Sequence, residues 1–417
     1  MLKNYRYKRI SFIMFLLITV MVLLTNCFRS GKKAVIIAPN GEAFAGDITC
    51  MRCHENIYQS YVHTAHRNSS APANEQTIKG SFEEGNNEYM YNPYDRIRME
   101  HRDSGYYQVW YSPLRELAAH RFDIVIGSGT KGQSYLYWNG NELFQLPVSF
   151  YTGTNSWANS PGYPNRVFFN RIVNSTCLAC HSTYFKPINT PGTPPAFSRK
   201  TIIYGITCER CHGPGAQHVA YFTSHPNDSI ARYIIQPQLL TRQQQLDACA
   251  ICHSGMQAGN HTPFSFITGD TLNHSKDQVP AHLDVHGNQY GLLIESKCFL
   301  HTQTLTCNTC HNTHQTEKEN NTLFNARCMS CHASNQLPAC PMYHTMGTSI
   351  TQYCINCHMP GQPSTTLTLQ LKSTDEAVPA MVHTHRIAIY ANATQQVMGY
   401  LQLLQHGKKL LQWPATY

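Results

Sequence analysis

Seven times in this chain two cysteines stand three positions apart with a histidine directly after the second. Numbered first to seventh, the copies are Cys50-Met-Arg-Cys53-His54, Cys177-Leu-Ala-Cys180-His181, Cys208-Glu-Arg-Cys211-His212, Cys249-Ala-Ile-Cys252-His253, Cys307-Asn-Thr-Cys310-His311, Cys328-Met-Ser-Cys331-His332 and Cys354-Ile-Asn-Cys357-His358. Two thiols on one helical turn can reach the two vinyl groups of one porphyrin, and the adjacent histidine then meets its iron as proximal ligand. The pattern is the attachment signature of c-type haem, so seven covalently held haems c are expected. Zinc is the competing chemistry. It needs two Cys-x-x-Cys pairs per metal and leaves the histidine after every second cysteine unexplained.

A haem iron with only a proximal histidine keeps one face open, for a substrate or for a second protein ligand. Of the 23 histidines, seven lie in the motifs, and the remaining 16 exceed what is needed to close every site. That excess argues for two histidines on most irons, an arrangement suited to electron transfer rather than small-molecule binding. His314 follows His311 by three residues, which span at most about 10 Å, too little to travel round a porphyrin. As a ligand it must serve a neighbouring haem, and His218, six residues after His212, is placed in the same way. Ligands exchanged between motifs pull the haems together, as a series of electron hops requires.

The elements that must position these residues are unevenly distributed. The first motif stands alone, and the other six fall between Cys177 and His358. Between the first two, the segments around Asp103-Ser104-Gly105 alternate and are rich in aromatics, which predicts a hairpin over 88–111. Further short strands are expected at 122–126, 134–138 and 143–150, with a turn at Asn139-Gly140. This small antiparallel insertion either packs over the first haem or faces a substrate or partner. Residues 182–198, rich in Pro, Thr and Gly, read as a surface loop. Residues 387–411 read as a C-terminal helix whose Met398, Leu401 and Leu404 pack in a core. The fold expected is mainly α with extensive irregular loops. Its parts are a leader over 1–27, a tether over 28–46, a first-haem region with the β insertion and second motif over 47–200, a multihaem core over 201–372, and a C-terminal segment with the helix over 373–417.

Composition sets the compartment. Lys3, Arg6, Lys8 and Arg9 precede an apolar run from about Ile10 to Leu24, the anatomy of an export signal. Cys27 follows directly and is a candidate for lipidation, with a cleaved leader or an uncleaved anchor as alternatives. Covalent haem attachment also requires export, to the periplasm or outer membrane. Outside the motifs and Cys27, Cys298 and Cys340 either form a disulfide, which that compartment permits, or remain two buried thiols. The net charge of +8 is offset by two propionates on each haem, and the basic residues are scattered beyond the N-terminus, so no nucleic-acid partner is expected. The expected partners are redox proteins and a membrane reached through the lipid.

The motifs and their flanks resemble the exported multihaem c-type cytochromes with doubled motifs. That group holds the nitrifier tetrahaem cytochrome, pentahaem nitrite reductase and hydroxylamine oxidoreductase, and the likeness is strongest to bacterial members joined to tetratricopeptide repeats. The resemblance rests on four blocks: Cys50–His54 with Tyr58, Tyr61 and Thr64-Ala65-His66; Cys208 through His218; His286 through Tyr290 with Ser296-Lys297 and Cys307 through His314; and His344 ahead of Cys354–Pro360 with His383 and His385. It implies His66, His218, His286, His314, His344 and His385 as distal ligands. His101 and His120 are further candidates for the remaining position. Cys298 stands where such proteins commonly carry methionine, and the repeat array is absent or reduced to one helix.

Three functions are compatible with these residues. Electron transfer through closed haems is the first, and no catalytic residue is assigned under it. The second is a reductase or oxidase of a small nitrogen or sulfur compound at one open iron; no Cys-x-x-Cys-Lys is present, but a cross-linked tyrosine would suit it. The third, a scaffold, would not need seven redox centres.

Overall fold

Period-two alternation between the first two motifs builds most of the regular structure. In β3 (Arg96–Arg102) Ile97 and Met99 are fully buried while their neighbours Arg96, Arg98 and Glu100 are not, as a strand with one face on a core demands. The computed structural model describes residues 14, 35–188, 191–255, 261–272, 284–333 and 340–405. Cys27 and, apart from Met14, the apolar run before it lie outside these residues, as does the end of the expected C-terminal helix. The chain divides into two units, Met1–Ile36 and Ile37–Tyr417, and the account below concerns the second. Among the described residues no helix is long and apolar enough to cross a membrane.

β2 (Glu88–Met90), β3, β4 (Gly105–Ser112) and β5 (Arg115–Arg121) form a four-stranded antiparallel sheet in sequence order. Its central hairpin pairs Arg102 with Gly105 across Asp103-Ser104. A seven-stranded sheet orders β1 (Ser70–Pro72), β6 (Ile124–Ile126), β7 (Gly132–Asn139), β8 (Glu142–Gln145) and β11 (Arg171–Ile172) side by side. β9 (Val148–Tyr151) pairs with both β7 and β10 (Ser156–Asn159). Asn139 pairs with Glu142, so the tight turn is Gly140-Asn141, and Gly140 takes the positive φ of 58° that such turns need. Ile97, Met99, Phe122, Tyr135, Leu146 and Trp157 belong to one buried cluster that both sheets contribute to. The fully buried Gln108 joins them with its amide, donating to the Val148 carbonyl at 2.6 Å and accepting from the Val148 N–H at 3.1 Å.

The expectation of a mainly α chain is therefore corrected: the protein is 31 % helix and 25 % strand, with several antiparallel sheets. Two physical reasons account for the difference. A haem motif needs only one helical turn, so its helices stay short; Cys208–His212 and Cys354–His358 have five residues each. The insertion that the sequence reads as small has its ends drawn into long-range pairing, Ser70 with Ile126 and Gly132 with Tyr151, which local patterns do not report. The supposed surface loop over 182–198 is corrected too. Ser182–Pro187 is a strand buried along most of its length, paired with Phe197–Tyr204. A further hairpin joins Gly361–Leu369 to Val378–His383. The C-terminal helix runs Ala391–Gln405, burying Val397 and Leu401 against Met346 and Ile350, while Leu404 is exposed.

Candidate haem-binding centres

Side-chain caps decide where each motif helix begins, and the motif closes it. Asn174 accepts from the Cys177 N–H and starts Ser175–His181. Thr241 and Gln244 cap each other's backbone and start Arg242–His253. Asn320 accepts from the Leu323 N–H and starts Asn321–His332. Such caps contribute about 1 kcal/mol each. In all three, the two thiols lie on the last turn and the histidine ends the helix.

Four motif histidines each face a histidine from elsewhere. Ring centroids are 6.4 Å apart for His54 and His218, 6.0 Å for His66 and His253, 6.1 Å for His212 and His314, and 6.2 Å for His311 and His385. Two imidazole–metal bonds of about 2.0 Å and two ring half-widths of about 1.1 Å add to about 6.2 Å, so one iron fits between each pair. The residues fit haem.

Backbone carbonyls orient the rings. His212 Nδ1 meets the Ile235 carbonyl at 2.9 Å, His218 Nδ1 that of Arg232 at 2.7 Å, and His358 Nδ1 that of Ala388 at 2.9 Å. A carbonyl only accepts, so Nδ1 carries the proton and Nε2 keeps its lone pair for a metal. Burial favours the same neutral state. It pushes His66 down to about 4, with His253 adding to the effect, and His385 down to about 4, with His311 adding to it. His314, His311 and His181 are also lowered, first by burial.

His286 lies within electrostatic reach of His181, whose protonation it disfavours next after burial. Asp284 anchors it, accepting the His286 N–H at 2.7 Å and the Ser364 and Thr365 hydroxyls at 2.8 and 2.6 Å. Burial opposes that carboxylate, but these hydrogen bonds prevail and hold it at about 2. His344 is exposed and makes no described ring contact with a motif histidine. His101 stacks on Tyr106, and His120 packs on Tyr137 and Phe169, so both belong to the β region. Cys298 and Cys340 are free and not fully buried.

The cysteine sulfurs are where porphyrin edges would attach. The Cys50 thiol is raised first by its hydrogen bond to Cys208, Cys180 by Cys252, Cys249 by Cys307 and Cys328 by Cys354. The first motif thus touches the third, the second the fourth, the fourth the fifth, and the sixth the seventh. Cys211 lies within electrostatic reach of Cys252, and Cys310 of Cys328, so the third motif is near the fourth and the fifth near the sixth. Sequence reasoning missed this pattern, because no local spacing encodes which motif meets which.

A polar node holds three motifs in register. Ser69 Oγ donates to the His181 carbonyl at 2.8 Å, and the Ser70 and Ser182 hydroxyls meet at 2.8 Å. The Gly205 N–H donates to Ser70 Oγ, the Gly205 carbonyl accepts from Thr183, and the Ile206 N–H reaches the His66 carbonyl. Farther along, Arg327 donates to the Cys310 carbonyl at 2.6 Å and is paired with Glu317, fixing the fifth motif against the helix of the sixth.

Residues 165–213, which include the second and third motifs, match the family model described as cytochrome c554 and c-prime. The chain is 26 % identical over 185 residues to the multiheme cytochrome MtrA of Shewanella baltica (strain OS185), an alignment covering 39 % of this chain and 54 % of that protein. The chain spans about half the length of that relative. The crystal structure of the outer cell wall cytochrome OcwA superposes over 79 % of each chain, with a TM-score of 0.46 and 15 % identity.

Proposed function

We propose that this chain, a multihaem c-type cytochrome by its motifs and its matches, holds seven haems c and passes electrons along them between redox partners. Bound haem supplies a one-electron ferric/ferrous couple. The single observation that carries the reading is the set of four histidine pairs at 6.0–6.4 Å, each joining different segments. Closing both faces of an iron with imidazole excludes substrate and keeps the ligand set unchanged between oxidation states. The inter-motif sulfur contacts support close packing of the porphyrin edges, so that each transfer is short. The seven haems include the sixth and seventh, and His344 remains the distal candidate for one of these two. We place the chain in the nitrifier tetrahaem cytochrome and hydroxylamine oxidoreductase-like group, close to bacterial members joined to tetratricopeptide repeats.

Export completes the proposal. The basic residues ahead of 10–24 and the following Cys27 support a leader and a lipid anchor, with the protein facing the periplasm or outer membrane. Intact mass of the full-length exported protein, read with its ferric EPR spectrum, tests the whole. The expected result is seven haem increments, a diacylglyceryl increment at Cys27 and low-spin signals only. A mass equal to polypeptide plus lipid overturns the reading, and a five-coordinate high-spin population responding to nitrite or hydroxylamine moves it to an enzyme.

A further inference from the structure

The two residues between the cysteines of the third motif carry opposite charges and point to different neighbours. Glu209 is 3 % exposed. Its carboxylate accepts from the Ala45 and Gly215 N–H groups at 2.7 Å and from the Gly46 N–H at 2.9 Å. Both oxygens act only as acceptors, the pattern of an ionised carboxylate. Gly46 precedes the helix Asp47–Met51 that carries Cys50, and Gly215 precedes the helix Ala216–Ser224 that carries His218. The negative charge therefore sits where the first motif meets the third, within electrostatic reach of both Cys50 and Cys208.

Arg210 turns the other way. One Nη donates to the Phe266 carbonyl at 3.0 Å, and the side chain reaches the Cys252 thiol and lies near Cys180 and Cys211. Its Nε is buried with no hydrogen-bond partner. The positive charge sits where the second, third and fourth motifs converge.

We propose that Glu209 and Arg210 form an electrostatic step that orders the reduction potentials across the third motif. This rests on the haem reading above. An added electron is repelled beside a buried carboxylate and attracted beside a half-buried guanidinium whose Nε is out of contact with water, and such charges are screened by salt less than exposed ones. Electrons are biased away from the first–third contact and toward the second–fourth contact. Both are positioning charges rather than catalytic residues.

Optical redox titration of the full-length holoprotein tests the step with Glu209→Gln, Arg210→Gln and Arg210→Lys, haem number being checked by mass. Glu209→Gln is expected to move part of the titration upward and Arg210→Gln to move a different part downward, while Arg210→Lys stays near the parent. A tenfold change in the reduced-to-oxidised ratio at fixed potential, about 59 mV for one electron, is the size expected. Shifts of the same sign, or an unchanged titration with all haems present, overturn the step. If Glu209→Gln loses haem, the Arg210→Gln and Arg210→Lys pair decides alone. A parent protein without haem would instead overturn the underlying reading.

Discussion

At the scale of single residues, the proton on His212 Nδ1 decides which partner its iron can have. Donation to the Ile235 carbonyl leaves the Nε2 lone pair free, and the His314 ring lies 6.1 Å away, within 15° of parallel. His314→Ala is therefore expected to open the iron attached at Cys208 and Cys211, while His311 keeps facing His385. One high-spin haem should appear in the EPR spectrum, with exogenous imidazole restoring the low-spin form. Loss of the haem bound at Cys307 and Cys310 would contradict this. The seven candidate proximal histidines stand out in the sequence because their spacing is local. Chain reach also sent His314 and His218 to neighbours. Which neighbour was not legible: His66 faces His253, 187 positions away in sequence, and only tertiary packing sets such a pairing.

At the scale of elements, the junction at Gly205 shows how the motifs are kept in place. Gly205 has a φ of +67°, and a Cβ there would collide with the Arg67 carbonyl. Gly205→Ala thus combines left-handed strain with overpacking, together costing about 2–4 kcal/mol. The displaced Arg67 adjoins His66, so a lowered midpoint of thermal unfolding should come with a partial loss of low-spin character. An unchanged melt would show that the node adapts freely. Alternation made the hairpin around Asp103-Ser104 legible. The extent of the β structure was not, since Ser182–Pro187 reads as loop by composition and becomes a strand only because Phe197–Tyr204 pairs with it. Glu209 was equally hidden: nothing local distinguishes a motif spacer exposed to water from one buried under three N–H donors.

Across the whole molecule, thiol hydrogen bonds link the first motif to the third, the second and the fifth to the fourth, and the sixth to the seventh, while the third lies within electrostatic reach of the fourth and the fifth of the sixth. Chain order and contact order differ, so this route was not legible in the sequence. Two-histidine ligation lacks the methionine that raises cytochrome potentials. A redox titration of the intact protein is accordingly expected to spread over a broad, mostly negative range, and a single sharp positive step would contradict it.

The exchange of histidines also sets a timetable. Under the export and ligation proposed above, a polypeptide crossing a membrane from its N-terminus delivers His66 long before Cys249, whereas Cys307 emerges well before His385. The fourth site would then wait with its cap already outside, and the fifth would stay half-built until His385 arrives. A chain cut short ahead of His385 would carry every covalent attachment point and still leave one iron unfinished, coloured but reactive toward any small ligand that reached it first.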